Sequence, residues 1–164
     1  MQLWAKCSKC FLKFLEEINK GQAMTNLSTH AITPRVLLTK SFIDSHDRAI
    51  ATIAMALRDA AMEVILIDYE TPDDVVNTAV QEDVDVIGIS FMSGGQVQTT
   101  QKIMQIMQDK GLIDMPVVIG GTIRPFDVEP LESAGVKAIF RGGAPLADVV
   151  SSFRQLASEY QQKR

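Results

Sequence analysis

Histidine is almost absent from this chain of 164 residues, with only His30 and His46 present. A metal site built from several imidazoles is thereby excluded. Cysteine is equally scarce: Cys7 and Cys10 form a lone CxxC without a second pair or a neighbouring histidine, so a closed zinc site within one chain is not available. Aromatic residues make up 6% of the chain, and no block of lysines or arginines is interleaved with them. With a formal net charge of -4 and a pI near 5.1, this composition argues against nucleic acid as the main partner. Long apolar runs are missing too. Val64 to Ile67 and Val117 to Ile119 are strand-length, far short of the roughly 20 residues of a membrane-spanning helix, so no membrane role is expected. The N-terminal segment mixes Lys6, Lys9, Lys13, Glu16 and Glu17 into its apolar positions, unlike a secretory signal, and the expected location is the cytoplasm.

What is present suits one globular domain with an ordinary core. Residues 1–34 read as an N-terminal amphipathic helix and linker: Leu3, Trp4, Phe11, Phe14, Leu15 and Ile18 recur at helical spacing, and Gly21 to Pro34 follow as the linker. That helix either docks on a partner or packs on its own domain, and Cys7 and Cys10 read as two small residues on it. From Arg35 to Arg164 short apolar strands alternate with amphipathic helices, which implies a parallel sheet. The expected strands are Arg35–Thr39, Glu63–Asp68, Val84–Ser90, Pro116–Ile119 and Val136–Phe140. The expected helices run from about His46 to Ala60, Pro72 to Glu82, Gln96 to Lys110, Pro125 to near Gly135 and Ala144 to about Gln161. Thr71-Pro72-Asp73-Asp74 is a helix start, with a hydroxyl at the cap, proline at the first helical position and acids in the first turn. The pattern suits an α/β, flavodoxin-like (Rossmann-like) fold: a five-stranded parallel sheet in the order 2-1-3-4-5 with helices on both faces.

In such a fold the loops after strands one, three, four and five open on one edge of the sheet, where ligands bind. The unusual residues collect there: Lys40, Asp44, His46, Asp47 and Arg48; Ser90, Met92, Ser93 and Gly94; Gly120 and Gly121; Gly142 and Gly143. Glycines at these points allow close backbone approach, and hydroxyls can bond polar edges of a ligand. A carboxylate two residues before a histidine can fix the imidazole tautomer and raise the basicity of the other nitrogen. One protein ligand points to a metal that arrives already held by a cofactor. Paired glycines at strand ends are equally common as plain turns, and a lone histidine is often only a cap.

The run Asp44-Ser45-His46-Asp47-Arg48-Ala49, with Ser90-Phe91-Met92 and Gly120-Gly121, resembles the D-x-H-x-x-G, S-x-L and G-G signature of the cobalamin-binding domain family. Leu57 to Ile65 and Gln81 to Gly88 are similar to its acyl-CoA mutase branch, that of methylmalonyl-CoA mutase and the small subunit of 2-hydroxyisobutyryl-CoA mutase. The resemblance extends over roughly Arg35 to Leu156. It implies that His46 is the lower axial ligand to cobalt in a base-off cofactor, that Asp44 accepts from its other nitrogen, and that Lys40 pairs with Asp44. It further implies that Ser90 bonds the displaced benzimidazole and that the nucleotide tail lies beside Gly120, Gly121 and Gly142. Three positions depart from the pattern: Ala49 and Ser45 stand where the family or branch has glycine, and Met92 where it has leucine. A β-carbon at position 49 would crowd the tail or oppose a left-handed backbone there; leucine to methionine keeps volume.

The function so implied is the cobalamin-carrying small subunit of an adenosylcobalamin-dependent acyl-CoA mutase, not active alone. The (β/α)8 barrel of about 250 residues that would bind the acyl-CoA does not fit in this length, so a separate large subunit is expected. The alternatives are the small subunit of an amino-acid mutase and a non-catalytic cobalamin-binding or sensing module. A phosphorylated receiver domain would need an aspartate where this chain has Ser90.

Overall fold

The computed structural model describes residues 33–164; the expected N-terminal helix, linker, Cys7, Cys10 and His30 lie outside the described residues. The strands are β1 (Arg35–Ser41), β2 (Glu63–Tyr69), β3 (Val86–Phe91), β4 (Val117–Gly121) and β5 (Ala138–Arg141). The helices between and after them are α1 (Asp47–Asp59), α2 (Pro72–Gln81), α3 (Gln96–Asp109), α4 (Pro125–Ser133) and α5 (Leu146–Lys163). All strand pairs are parallel, and the spatial order is β2-β1-β3-β4-β5, as the alternating pattern predicts. Among the described residues no helix is long and apolar enough to cross a membrane.

Side-chain alternation along each strand divides the core in two. Leu37, Ile87, Ile89, Val117 and Ile119 pack with Val75 and Val76 of α2, Ile103 and Met107 of α3, and Leu131 of α4. Val36, Leu38, Val86 and Val118 pack instead with Ile50, Ala54 and Leu57 of α1 and with Val149, Phe153 and Ala157 of α5. The functional edge therefore lies above two layers of different make, three helices on one face and two on the other.

Local chemistry sets the ends of the elements. At the start of α2 the Asp74 carboxylate reaches back to accept from the Thr71 N–H at 2.7 Å, satisfying a donor that the helix cannot. Helix α1 starts one residue later than expected because His46 sits outside the helix as its N-cap, at φ -87° and ψ 73°. Strand β3 starts at Val86, since Asp85 turns its carboxylate to the Arg35 N–H (2.8 Å). Val136 is still closing α4, its N–H donating to the Leu131 carbonyl at 3.3 Å, so β5 begins only at Ala138. The foot of α5 is tied down by Gln161 Nε2 donating to Asp85 at 2.8 Å and by an Arg164–Asp83 ion pair.

Candidate functional site

The parallel register places Asp68, Lys40, Ser90, Gly120 and Phe140 in one row across all five strands, at the C-terminal edge of the sheet. The β1–α1 loop rises from this row and carries Asp44 and His46. Asp44 is buried at 3% exposure, yet both oxygens of its carboxylate are hydrogen-bonded. Oδ1 accepts from the His46 backbone N–H at 3.0 Å and pairs with His46 Nδ1 at 2.7 Å, while Oδ2 accepts from the Met92 N–H at 3.1 Å. Burial alone would push this carboxyl up, but those hydrogen bonds outweigh it and hold the group below the ordinary carboxylate range. With Nδ1 engaged, Nε2 is the imidazole nitrogen without a partner among the described residues. The His46 side chain is 56% exposed, and it lines an open recess of about 700 Å³ together with Ser45, Asp47, Arg48, Ala49, Met92 and other residues.

Lys40 departs from the expected arrangement. Its ammonium does not pair with the Asp44 carboxylate. It donates to the Asp44 backbone carbonyl at 2.6 Å and forms ion pairs with Asp47 (3.1 Å) and Asp68 (3.2 Å). The physical reason is that Asp44 is already engaged by three N–H donors, whereas Asp47 and Asp68 have free lone pairs and a buried ammonium must be paired. Burial lowers the Lys40 pKa, but the two carboxylates outweigh it and raise it above the usual lysine value. Lys40 thus ties the middle of the histidine loop, at Asp44, and the start of α1, at Asp47, to β1, with Asp68 of β2 as its third partner. Beneath it, Tyr69 is buried with its phenol pushed up to about 12, first by desolvation and then by the Asp44 charge.

A second, narrower space lies below the recess, between the sheet and the pair α1 and α5. This apolar cleft has a volume of about 60 Å³, and Ala49, Ile53, Ser90, Gly120, Phe140 and Phe153 are among its lining residues. The glycines here have different physical roles. A β-carbon on Gly88 would lie 2.6 Å from Leu38 Cδ2 and 2.8 Å from Phe153 Cζ, so packing alone requires glycine there. Gly121, at φ +114°, would drive a β-carbon to 2.1 Å from the Phe91 carbonyl oxygen. At Gly120 a β-carbon would meet only the Phe140 carbonyl oxygen, at 3.6 Å, in ordinary contact; what it would take up is cleft.

The structure therefore brings His46, Asp47, Arg48 and Met92 together around the recess, with Asp44 bonded to His46 and Met92, Lys40 beneath the loop, and Ser90, Gly120 and Gly121 in the cleft. Ser93 and Gly94 form the β3–α3 turn and line neither space. Gly142 and Gly143 border a separate shallow recess with Arg141 and Ala144. Ala49 lies in helix α1 and has no left-handed backbone, so only crowding remains of the two expectations for that position. Sequence reading missed Asp68, Ile53, Phe140 and Phe153. Asp68 carried one signal, an acid ending a strand beside the strand that ends in Lys40; the others become site residues only through packing.

Comparison with known proteins gives a consistent picture. Residues 34–150 match the model of the B12 binding domain. The chain is 40% identical over 125 residues to the 2-hydroxyisobutanoyl-CoA mutase small subunit of Aquincola tertiaricarbonis, covering 76% of this chain and 92% of that one. It is 37% identical to the pivalyl-CoA mutase small subunit of Xanthobacter autotrophicus, covering 79% and 88%. Against the methylmalonyl-CoA mutase of Escherichia coli it is 33% identical, covering 82% of this chain but 19% of that protein. A solved cobalamin-binding protein from Desulfitobacterium hafniense superposes with a TM-score of 0.64 at 15% identity, covering 76% of this chain and 60% of that one. A signal receiver domain from Vibrio parahaemolyticus superposes almost as well, at 0.63 and 14% identity, covering 80% and 95%. These two structures show the shared fold alone. On the family match and the two small-subunit relatives, the chain belongs to the B12-binding domain family, in the branch of acyl-CoA mutase small subunits.

Proposed function

We propose that residues 35–164 carry adenosylcobalamin for an acyl-CoA mutase, with His46 as the lower axial ligand to cobalt and the benzimidazole of the cofactor displaced. One observation carries this reading: His46 Nδ1 is held by Asp44 at 2.7 Å while the ring stands exposed in the open recess. Such a carboxylate–imidazole pair orients a metal ligand and makes it more basic. The residues present fit the cofactor on two counts. The exposed imidazole suits a metal whose other ligands come with it, and Gly120 leaves cleft space that a β-carbon would take up.

When bound, adenosylcobalamin supplies radical chemistry through homolysis of its cobalt–carbon bond. The chain's own work is placement. Lys40, Asp47 and Asp68 fix the loop, Asp44 fixes the ring, and the apolar cleft below Ser90 would shield the nucleotide tail from water. The acyl-CoA would be bound by a separate large subunit with a (β/α)8 barrel, in the cytoplasm, and the isolated chain would have no mutase activity. The two small-subunit relatives support the division of labour.

The test is a titration with adenosylcobalamin and cob(II)alamin, followed by absorbance and by the nitrogen splitting of the cobalt EPR signal. A base-off spectrum with splitting from a protein imidazole, lost in His46→Ala, is the expected result. Splitting that survives in His46→Ala, or a base-on spectrum in the wild type, would overturn the assignment.

A further inference from the structure

Two residues line both the open recess and the apolar cleft: Ala49 and Ile53. They lie four apart on α1, so their side chains are neighbours on one face of the helix. Together they form a sill at the junction of the recess and the cleft. Ala49 is exposed and Ile53 is half-buried, so the methyl of Ala49 is the outer edge of that sill.

The cleft is small. Its volume of about 60 Å³ is well below the ~150 Å³ of an engineered apolar cavity that takes up benzene. An aromatic base can enter only by widening it. Depth cannot supply the room, because Leu38 and Phe153 are already packed against Gly88 at the floor. The wall at Gly120 carries no side chain that could withdraw. Width at the mouth is the dimension left to vary, and Ala49 stands on one side of it.

We propose that Ala49, backed by Ile53, is a size filter for the lower base of the corrinoid. The chain then discriminates among corrinoids by the bulk of the nucleotide base, independently of the corrin ring and of His46. This inference rests on the cobalamin-binding reading above.

The experiment compares cobalamin, a corrinoid whose benzimidazole lacks the two methyls, and cobinamide, which has no nucleotide. Each is titrated by absorbance into the full chain as wild type, Ala49→Gly, Ala49→Val and Ile53→Val. A methyl group in an apolar site discriminates by roughly tenfold or more. Ala49→Gly is therefore expected to tighten cobalamin about tenfold, to tighten the smaller base less, and to leave cobinamide unchanged. Ala49→Val should weaken cobalamin without affecting cobinamide. Ile53→Val, which lowers the same sill without altering helix propensity, should move cobalamin in the same direction as Ala49→Gly. Equal shifts for all three corrinoids, or no shift, would overturn the filter while leaving cobalamin binding intact. Failure of the wild type and of every variant to bind any of the three would overturn the underlying reading, and the filter with it.

Discussion

The contrast between Gly88 and Gly120 offers the sharpest test of the packing described here. Both face the layer of α1 and α5, and both line the cleft. Gly88→Ala forces a β-carbon to within 2.6 Å of Leu38 and 2.8 Å of Phe153, which are 3% and 2% exposed and have nowhere to go. Overpacking of this kind costs about 1–3 kcal/mol. For a unit of this size that corresponds to a fall in Tm of about 3–10 °C. Gly120→Ala meets one carbonyl oxygen at 3.6 Å and needs no left-handed backbone, so its cost should stay below about 1 kcal/mol. The assay is urea denaturation of the two variants and of Gly88→Ala/Phe153→Leu, with the midpoint and the m-value compared at constant pH. The smaller ring-free side chain should recover part of the Gly88→Ala loss, giving a coupling above about 0.5 kcal/mol for residues in contact. A Gly88→Ala protein as stable as the wild type, or strict additivity in the double variant, would refute the geometry of the cleft floor. The binding consequence runs the opposite way: Gly120→Ala should fold well and bind cobalamin poorly.

Further outcomes follow from the loop network. Asp44→Asn replaces one acceptor by a donor that faces an N–H, and at pH 7 should cost about 2 kcal/mol by loss of hydrogen bonds to a charged group. Because the folded Asp44 pKa lies below its unfolded value, the wild-type advantage is present above pH about 4 and fades as pH falls through the folded pKa, which denaturation at pH 7 and pH 3 would show. Lys40→Met should lose about 1–2 kcal/mol and increase hydrogen exchange at residues 42–46, since Asp47 and Asp68 are exposed enough to regain water while the loop loses its clamp. Tyr69 has a folded pKa of about 12, above the ordinary value near 10, so its contribution is intact below pH about 10 and is lost as pH rises toward 12. Tyrosinate absorbance should show this late step, and Tyr69→Phe should remove it.

Much of the site was legible because its central pair is local. Asp44 and His46 are two residues apart, and a short loop after a strand leaves few ways to arrange them. The β-α alternation likewise implies a parallel sheet, and five such units suit the order found. The partners of Lys40 were not legible in the same way. Asp68 is adjacent only through the Lys40–Asp68 register of β1 and β2, and the preference for Asp47 over the Asp44 carboxylate depends on how many donors Asp44 has already taken. The cleft was least legible of all. Phe153 reaches it from a helix more than a hundred residues beyond the histidine loop, and nothing in a period of 3.6 says which strand residue a helix will meet. The ends of β3 and β5 moved for a related reason, because Asp85 and Val136 serve neighbouring elements before their own.

The tie at the foot of α5 has a mechanical consequence. Gln161 and Arg164 anchor the last turns of this helix of 18 residues to Asp85 and Asp83, whereas its first turn stands beside the cleft mouth, where Leu146 borders the recess. The helix is therefore a lever about 27 Å long with its pivot at the far end from the opening. At mid-length Arg154 adds a second tie, donating to the Ala60 carbonyl at the end of α1 at 2.6 Å, so the turn that carries Leu146 is the part of the helix farthest from both anchors. Any strain placed on the cleft mouth from this side is therefore borne by the packing of Val149 and Phe153 and not by strand-to-strand hydrogen bonds.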